Sequence, residues 1–250
     1  MKAYGQFCSI ARALELLGER WTLLIVRELL CGSRRFSDVR RGIPRVSRTM
    51  LSERLRELLD AGVIARCDSD GAPAYRLTAA GEELSAVVGE LGTWGQRWLP
   101  RESSREDVDT DALLWDMQRR VRFELLPRDP IVVRLEIDRA PARMLLLKRS
   151  GEASICTANP GFPERLRVDA KLAALVAWWR GDVAFSETRR LGLSIAGPKP
   201  LVRAFPTWFQ RYQFSDVPPA VVSAPAVSRP APPGRAPRAR SPRSSAARGP

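Results

Sequence analysis

The sequence contains no histidine, and this absence excludes several kinds of active site. Neither a Ser-His-Asp nor a Cys-His catalytic unit can form, and no metal can be held by imidazole. The four cysteines are far apart and include no C-x-x-C pair, which argues against a structural zinc or iron–sulfur site. We therefore expect no catalytic residues, no bound metal and no cofactor, and we predict that the protein is not an enzyme.

Long apolar runs are also missing from the chain. No apolar stretch approaches the roughly 18 residues that a membrane-spanning helix needs, and the first residues lack the long apolar region of a signal peptide. We expect a cytoplasmic protein with reduced cysteines and no membrane partner.

Acidic residues are outnumbered, with 28 Asp and Glu against 41 Lys and Arg, so the formal net charge is +13. Only four of the basic residues are lysines. An arginine preference of this strength can reflect codon composition, but the net charge does not depend on it. An excess of positive charge favours a polyanionic partner, and nucleic acid is the first candidate.

Changes in composition divide the chain into four segments. Residues 218–250 contain nine prolines and six arginines but no acid, a composition that predicts a disordered basic tail. Residues 101–110 are polar and aperiodic and predict a linker. The segments on either side of this linker, 1–100 and 111–217, each have the size of an ordinary domain.

The first 45 residues predict three helices. Apolar residues recur at helical spacing in the first helix, which stops at Gly18, and in a second helix that holds Trp21 and ends before Gly32. The apolar stripe of the first helix consists of Phe7, Ile10, Leu14 and Leu17. A short third helix holds Phe36 and Val39.

A fourth helix, a β-hairpin and a long fifth helix follow. The fourth helix covers 47–61, with Ser47 as its N-cap and a stripe of leucines to be buried at positions 51, 55 and 58. A turn at 68–71 reverses the chain between two extended segments. Thr78 is the predicted cap of the fifth helix.

This order of elements is typical of a winged helix-turn-helix. In such a domain the start of one helix reaches the base edges in the major groove, while basic hairpin residues lie along the phosphates or in the minor groove. The candidate DNA-binding residues are Arg45, Ser47, Arg48, Thr49, Ser52, Arg56, Arg66 and Arg76. The alternative is that these polar residues form an ordinary solvated face.

Residues 7–98 resemble the HxlR family of bacterial winged-helix transcriptional regulators. The resemblance rests on the segments IPRVSRTMLSERLRELLDAGVI, YRLTAAGEEL and LGTWGQRW, together with a core pattern. That core pattern consists of Gly18, Trp21, Ile25, Arg27 and Leu29. The resemblance implies a homodimer that is joined through its terminal helices and binds a palindromic operator in double-stranded DNA.

Cys8 stands where some members of that family carry a redox-sensing cysteine. The family usually has proline at the next position, whereas this chain has Ser9. Redox sensing by Cys8 is therefore one interpretation, and a small apolar residue near a helix start is the other.

The segment 111–217 mixes strands and helices, so we predict an α+β domain. Its second half resembles the end of sterol carrier protein type 2 domains, in which an Asp opens a helix, here Asp169, and a short strand leads into a final helix. The resemblance implies an apolar ligand pocket, with Trp178, Trp179 and Phe185 as candidate lining residues. The alternative is that these rings belong to an ordinary core.

Together these features predict a multi-domain α+β protein that acts as a sequence-specific, dimeric, DNA-binding transcriptional regulator. A hydrophobic small molecule is a possible effector of the second domain. Two other functions remain open: a lipid or sterol-type carrier, and a protein that binds DNA without sequence preference.

Overall fold

The computed structural model describes residues 3–69, 71–100 and 108–220. Most of the predicted tail at 218–250 and of the predicted linker at 101–110 lies outside these residues. The described residues up to Pro219 form one compact unit. Within it an N-terminal winged helix-turn-helix region is followed by an α+β region.

The N-terminal region contains the predicted helices and the hairpin. Its elements are α1 Ser9–Leu17, α2 Thr22–Leu30, α3 Phe36–Gly42, α4 Arg48–Asp60, β1 Ile64–Ser69, β2 Ala72–Leu77 and α5 Ala79–Trp98. Two predicted caps are confirmed: the Ser47 hydroxyl accepts a hydrogen bond from the backbone N–H of Met50, and the Thr78 hydroxyl accepts one from Gly81. Each satisfies a donor that has no partner inside its helix.

Two expectations for the start of the chain are wrong in detail. Trp21 is not inside α2 but precedes it, with a left-handed backbone at φ 81°. This conformation is rare for a bulky side chain. Phe7 was predicted to lie on the first helix, but α1 begins at Ser9 and Phe7 precedes it. The side chains of Phe7 and Ile10 are exposed to solvent.

The core of this region lies beneath α4. Leu51, Leu55 and Leu58 are almost completely buried, as their spacing predicts, and they pack with apolar residues of α2, α3 and the hairpin. Because one side of α4 is committed to this core, its other side faces outward.

The C-terminal region contains a five-stranded sheet with helices packed against it. Its elements are α6 Thr110–Gln118, β3 Ile131–Ile137, β4 Arg143–Lys148, β5 Glu152–Cys156, β6 Glu164–Ala170, α7 Leu172–Trp179, β7 Leu193–Ala196 and α8 Lys199–Ala204. The strand order is β5-β4-β3-β6-β7, with β3 and β6 parallel and the other neighbours antiparallel. This arrangement confirms the α+β prediction.

The predicted cap of α7 is wrong. Asp169 lies within β6, and the residue before the helix is Lys171, whose side chain makes no capping hydrogen bond. Instead, the carboxylate of Asp138, just after β3, accepts a weak hydrogen bond of 3.4 Å from the backbone N–H of Leu172. The capping group is thus supplied by a neighbouring strand, which local sequence does not reveal.

Candidate nucleic-acid interface and its link to the second region

The start of α4 presents a cluster of exposed polar and basic side chains. All eight candidate residues are exposed, namely Arg45, Ser47, Arg48, Thr49, Ser52, Arg56, Arg66 and Arg76. Arg48 is the first residue of α4 and Arg45 lies three residues before it. At the first turn of a helix, free backbone N–H groups and the helix dipole favour an anion. Ser47 uses its oxygen for capping, and its hydroxyl proton can still be donated to a phosphate.

The hairpin is fastened to the helices beside it. The Arg35 side chain donates to the carbonyl of Ser69 at 3.1 Å, and the backbone N–H of Tyr75 donates to the carbonyl of Arg34 at 2.8 Å. These bonds fix the wing relative to the loop that leads into α3.

The two wing arginines do not share one face of the hairpin. In the antiparallel register, Arg66 is opposite Tyr75 and Arg76 is opposite Ala65. Directly opposed residues lie on the same face and successive residues alternate, so Arg66 and Arg76 point to opposite faces. We infer that a DNA duplex meets one of them more closely than the other.

Arg54 has a structural role that the sequence analysis missed. It is buried and pairs with Glu19 of the loop after α1 at 3.0 Å and with Glu57 of its own helix at 2.5 Å. The hydrogen bond to Glu57 raises the pKa of Arg54. The available signal was its position three residues after Leu51, on the inner side of the helix.

A buried carboxylate joins the two regions. Glu28 of α2 is completely buried, and its oxygens contact the side chains of Arg27 at 2.6 Å and Arg119 of α6 at 2.7 Å. The Ser33 hydroxyl also donates to Glu28 at 3.3 Å. A Cβ at Gly42 would stand 2.0 Å from a Glu28 carboxylate oxygen, so any other residue at position 42 would displace this carboxylate.

The network continues into the second region through Asp116. This carboxylate accepts hydrogen bonds from Arg119 at 2.9 Å, Arg120 at 3.1 Å and the indole N–H of Trp179 at 2.8 Å. Burial by itself would raise the pKa of Asp116, but the neighbouring guanidinium groups and the indole outweigh it and the pKa is lowered. Burial would likewise lower the pKa of Arg119, yet its contacts with Glu28 raise it.

Helix α5 makes further contacts with the C-terminal region. The Gln96 side-chain amide donates to the carbonyl of Arg180 at 3.1 Å. The ring of Phe214 lies so close to α5 that a Cβ at Gly92 would stand 2.0 Å from it. The N-terminal region is therefore held at both α2 and α5.

The three aromatic candidates of the second region lie in different surroundings. Trp178 is buried among the rings of Trp179, Phe185, Phe205 and Phe209, with centroid distances of 5.1 to 6.2 Å. Phe185 is half-buried at the edge of that cluster. Trp179 also lines a cavity of about 630 Å³ between the two regions.

Cys8 is half-buried immediately before α1, and its carbonyl accepts a hydrogen bond from the backbone N–H of Arg12. Among residues 3–69, 71–100 and 108–220, no helix is long and apolar enough to cross a membrane. Over the same ranges, no group of three acidic or cysteine side chains is placed to hold a metal ion.

The packing of α2–α4 and the hairpin after them define a winged helix-turn-helix protein. The model of the HxlR-like helix-turn-helix family matches residues 16–103. An uncharacterized HTH-type transcriptional regulator of Mycobacterium tuberculosis is 49% identical over 98 residues, which cover 37% of this chain and 60% of the relative. The uncharacterized HTH-type transcriptional regulator YvaP of Bacillus subtilis is 40% identical over 91 residues, covering 35% of this chain and 84% of the relative.

The chain belongs to the HxlR-like helix-turn-helix family. It spans 60% of the length of the mycobacterial relative that it matches. Among solved structures, the reduced form of the transcriptional regulator YodB from B. subtilis is 32% identical, with 39% of this chain and 100% of that chain covered and a TM-score of 0.34.

Proposed function

We propose that the protein is a sequence-specific DNA-binding transcriptional regulator that places α4 in the major groove. The observation that supports this most directly is the exposure of Arg48, Thr49, Ser52 and Arg56 on the outer side of α4. A helix held by its apolar side on a folded core can enter a groove with its polar side unchanged. The wing would then contact the neighbouring backbone.

We further propose that the regulator acts in the cytoplasm as a homodimer on a palindromic operator. Helix α5 leaves four large apolar side chains about half exposed, and their spacing puts them on one face. These are Val87, Leu91, Trp94 and Trp98. Phe7, Ile10 and Leu14 add a second exposed apolar group at the start of the chain. Apolar patches of this kind are typical of protein interfaces.

The proposal is tested by selecting a preferred duplex from randomised sequences and then measuring affinity by fluorescence anisotropy. Arg56→Ala removes a candidate base contact and is expected to reduce discrimination against altered bases by about 1–3 kcal/mol. Arg48→Ala removes a candidate phosphate contact and should weaken binding to all duplexes alike. Arg165→Ala, an exposed arginine on β6, is the matched control.

Three results would contradict parts of this proposal. Equal affinity for the selected and a scrambled duplex would favour the alternative of binding without sequence preference. No duplex binding at low salt would favour the carrier alternative. If the duplex affinities of both arginine variants stay within about twofold of the wild type, a difference of about 0.4 kcal/mol, the assigned helix face is wrong.

For the second region we propose a sensor of a hydrophobic small molecule, as the resemblance to sterol carrier domains implies. Trp179 supports this because it borders the cavity of about 630 Å³ between the regions. The volume lies within the range of small-molecule sites. Trp fluorescence and duplex affinity should be titrated together with fatty acids and sterols. A ligand that changes fluorescence but leaves duplex affinity unaltered would retain the pocket and contradict sensing.

Two proposals concern smaller features. Six arginines of the segment 218–250 should add non-specific phosphate contacts, so truncation after Asp216 should flatten the dependence of affinity on salt. If the slope of log affinity against log salt does not change, the segment is an inert extension.

Redox sensing by Cys8 predicts that an oxidant alters the duplex affinity of the wild type but not that of Cys8→Ser. Equal responses of the two proteins would contradict redox sensing by Cys8.

A further inference from the structure

A second cleft separates the DNA-reading elements from the C-terminal region. It has a volume of about 960 Å³ and lies between α3, the start of α4 and the wing on one side, and α6, β4 and β5 on the other. This volume is at the upper end of the range of small-molecule sites.

The lining of this cleft is strongly basic. It includes five arginines, at positions 35, 40, 41, 48 and 143, and a single acid, Asp111. Two carboxylates reduce this charge: Asp111 pairs with Arg143 at 3.2 Å, and Asp38 of α3 pairs with Arg41 at 3.6 Å. The lining arginines still outnumber these carboxylates. The field in the cleft therefore favours an anion.

Arg40 of α3 and Trp115 of α6 line the cleft. Each has one buried donor, Nε and Nε1 respectively, with no acceptor among the described residues. A buried donor without a partner is costly, so such groups are usually satisfied by a water, an ion or a ligand. The guanidinium of Arg41 lies over the Trp115 ring, 5.4 Å from its centroid, and brings a further positive charge to the same place.

The remainder of the lining includes large apolar side chains, among them Phe36, Leu114 and Ile155. A bare inorganic anion would leave these groups facing empty space or water. An anion that is attached to an apolar body would meet both parts of the lining.

We propose that this cleft binds a small amphipathic anion, a carboxylate or phosphate ester on an apolar body, and that this ligand opposes DNA binding. The cleft that Arg40 and Trp115 line has the volume of a small-molecule site. Arg48 lines the cleft and is also a candidate phosphate contact. An anion bound beside Arg48 would lower the local positive potential that attracts DNA. This second step rests on the proposed function.

Isothermal titration calorimetry on the full chain tests the site directly, with 1-naphthoate, phenyl phosphate and inorganic phosphate as probes. We expect the two amphipathic anions to bind, and 1-naphthalenemethanol, the neutral analogue of naphthoate, to bind at least about tenfold more weakly. Trp115→Phe removes one donor and keeps a ring, and Arg40→Met removes the other. Each should weaken binding of 1-naphthoate by about tenfold, whereas Arg165→Gln should not change it.

Thermal unfolding provides an independent measurement on the same proteins. 1-Naphthoate should raise Tm of the wild type and of Arg165→Gln more than that of the two cleft variants. Duplex affinity, measured by anisotropy, should fall when 1-naphthoate is added to the wild type.

The outcomes separate this site from DNA binding itself. Failure of both amphipathic anions to bind the wild type overturns the proposal, as does binding that neither cleft variant weakens. Stronger binding of inorganic phosphate than of phenyl phosphate contradicts the apolar part of the site. Anion binding with unchanged duplex affinity overturns the opposition to DNA. If the wild type binds no duplex, the proposed function is wrong. Calorimetry still shows whether the cleft binds the anion, because that measurement does not involve DNA.

Discussion

The arginines on the outer side of α4 and those at the junction of the two regions have the same side chain but opposite surroundings. Arg48 and Arg56 are exposed, whereas the side chain of Arg119 is 17% exposed and contacts the completely buried Glu28. In the proposed function, the exposed groups exchange water for phosphate when DNA binds. The buried group already has its partner and is committed to the fold.

A positive charge therefore has no fixed role in this chain. An exposed ion pair contributes little to stability because water and salt screen it. Removing one member of a buried pair is expensive because the remaining charge stays without compensation. Substitutions at the junction should therefore lower the free energy of unfolding. Substitutions on the outer side of α4 should instead lower the affinity for DNA.

The largest effect is expected for the carboxylate at the centre of the junction. Glu28→Gln removes the buried charge that faces Arg27 and Arg119, and it should lower the free energy of unfolding by about 3 kcal/mol. Glu152→Gln removes an exposed carboxylate that pairs with Lys148 and should cost about 0–1 kcal/mol. Urea denaturation measures both. Similar losses in the two variants would show that the junction does not stabilise the protein.

The contact between Gly92 of α5 and the ring of Phe214 can be disrupted by a substitution in α5. Gly92→Ala places a methyl group against the ring of Phe214 and should destabilise the protein by about 1–3 kcal/mol. In the same helix, a Cβ at Gly89 meets no atom within 4 Å. Gly89→Ala should therefore stabilise the helix by about 0.5–1 kcal/mol. Changes of the same sign in thermal unfolding would contradict this close packing.

A third pair of variants compares two arginines within α4. Arg54→Met removes the ion pairs with Glu19 and Glu57 and should lower stability by about 2 kcal/mol. Arg56→Met should stay within about 0.5 kcal/mol of the wild type while duplex affinity falls. Urea denaturation of both variants measures the difference. A lower stability of the Arg56 variant would contradict the structural role of Arg54.

Local sequence was sufficient for most of the winged helix-turn-helix. Ser47 and Thr78 cap the helices that their spacing predicted, because a cap depends on residues three positions apart. The periodicity of Phe7, Ile10 and Leu14 identified an apolar stripe but not what covers it, and these side chains are exposed. Helical spacing fixes only which residues share a face.

The junction could not be predicted because its partners are distant in the chain. Glu28 and Arg119 are 91 positions apart, and no local pattern pairs them. In the sequence, Arg54 resembles the other arginines of this basic segment, and only its burial in the structure distinguishes it from Arg56. Thr49, Ser52 and Arg56 are exposed, as their spacing from Leu51 predicted, while the contacts of all eight candidate residues with DNA stay a prediction.

The smallest expected effect concerns acid pH, through Asp116 at the far end of the junction. Burial would raise the pKa of this carboxyl, but Arg119, Arg120 and the indole of Trp179 lower it below its usual value. A carboxyl with a lowered folded-state pKa stabilises the protein at pH values above its unfolded pKa, and this contribution is lost as the pH falls through the folded value. Stability should thus fall below about pH 4 more steeply in the wild type than in Asp116→Asn, as measured by urea denaturation at neutral and acid pH. Parallel losses in the two proteins would show that the Asp116 charge does not support the junction.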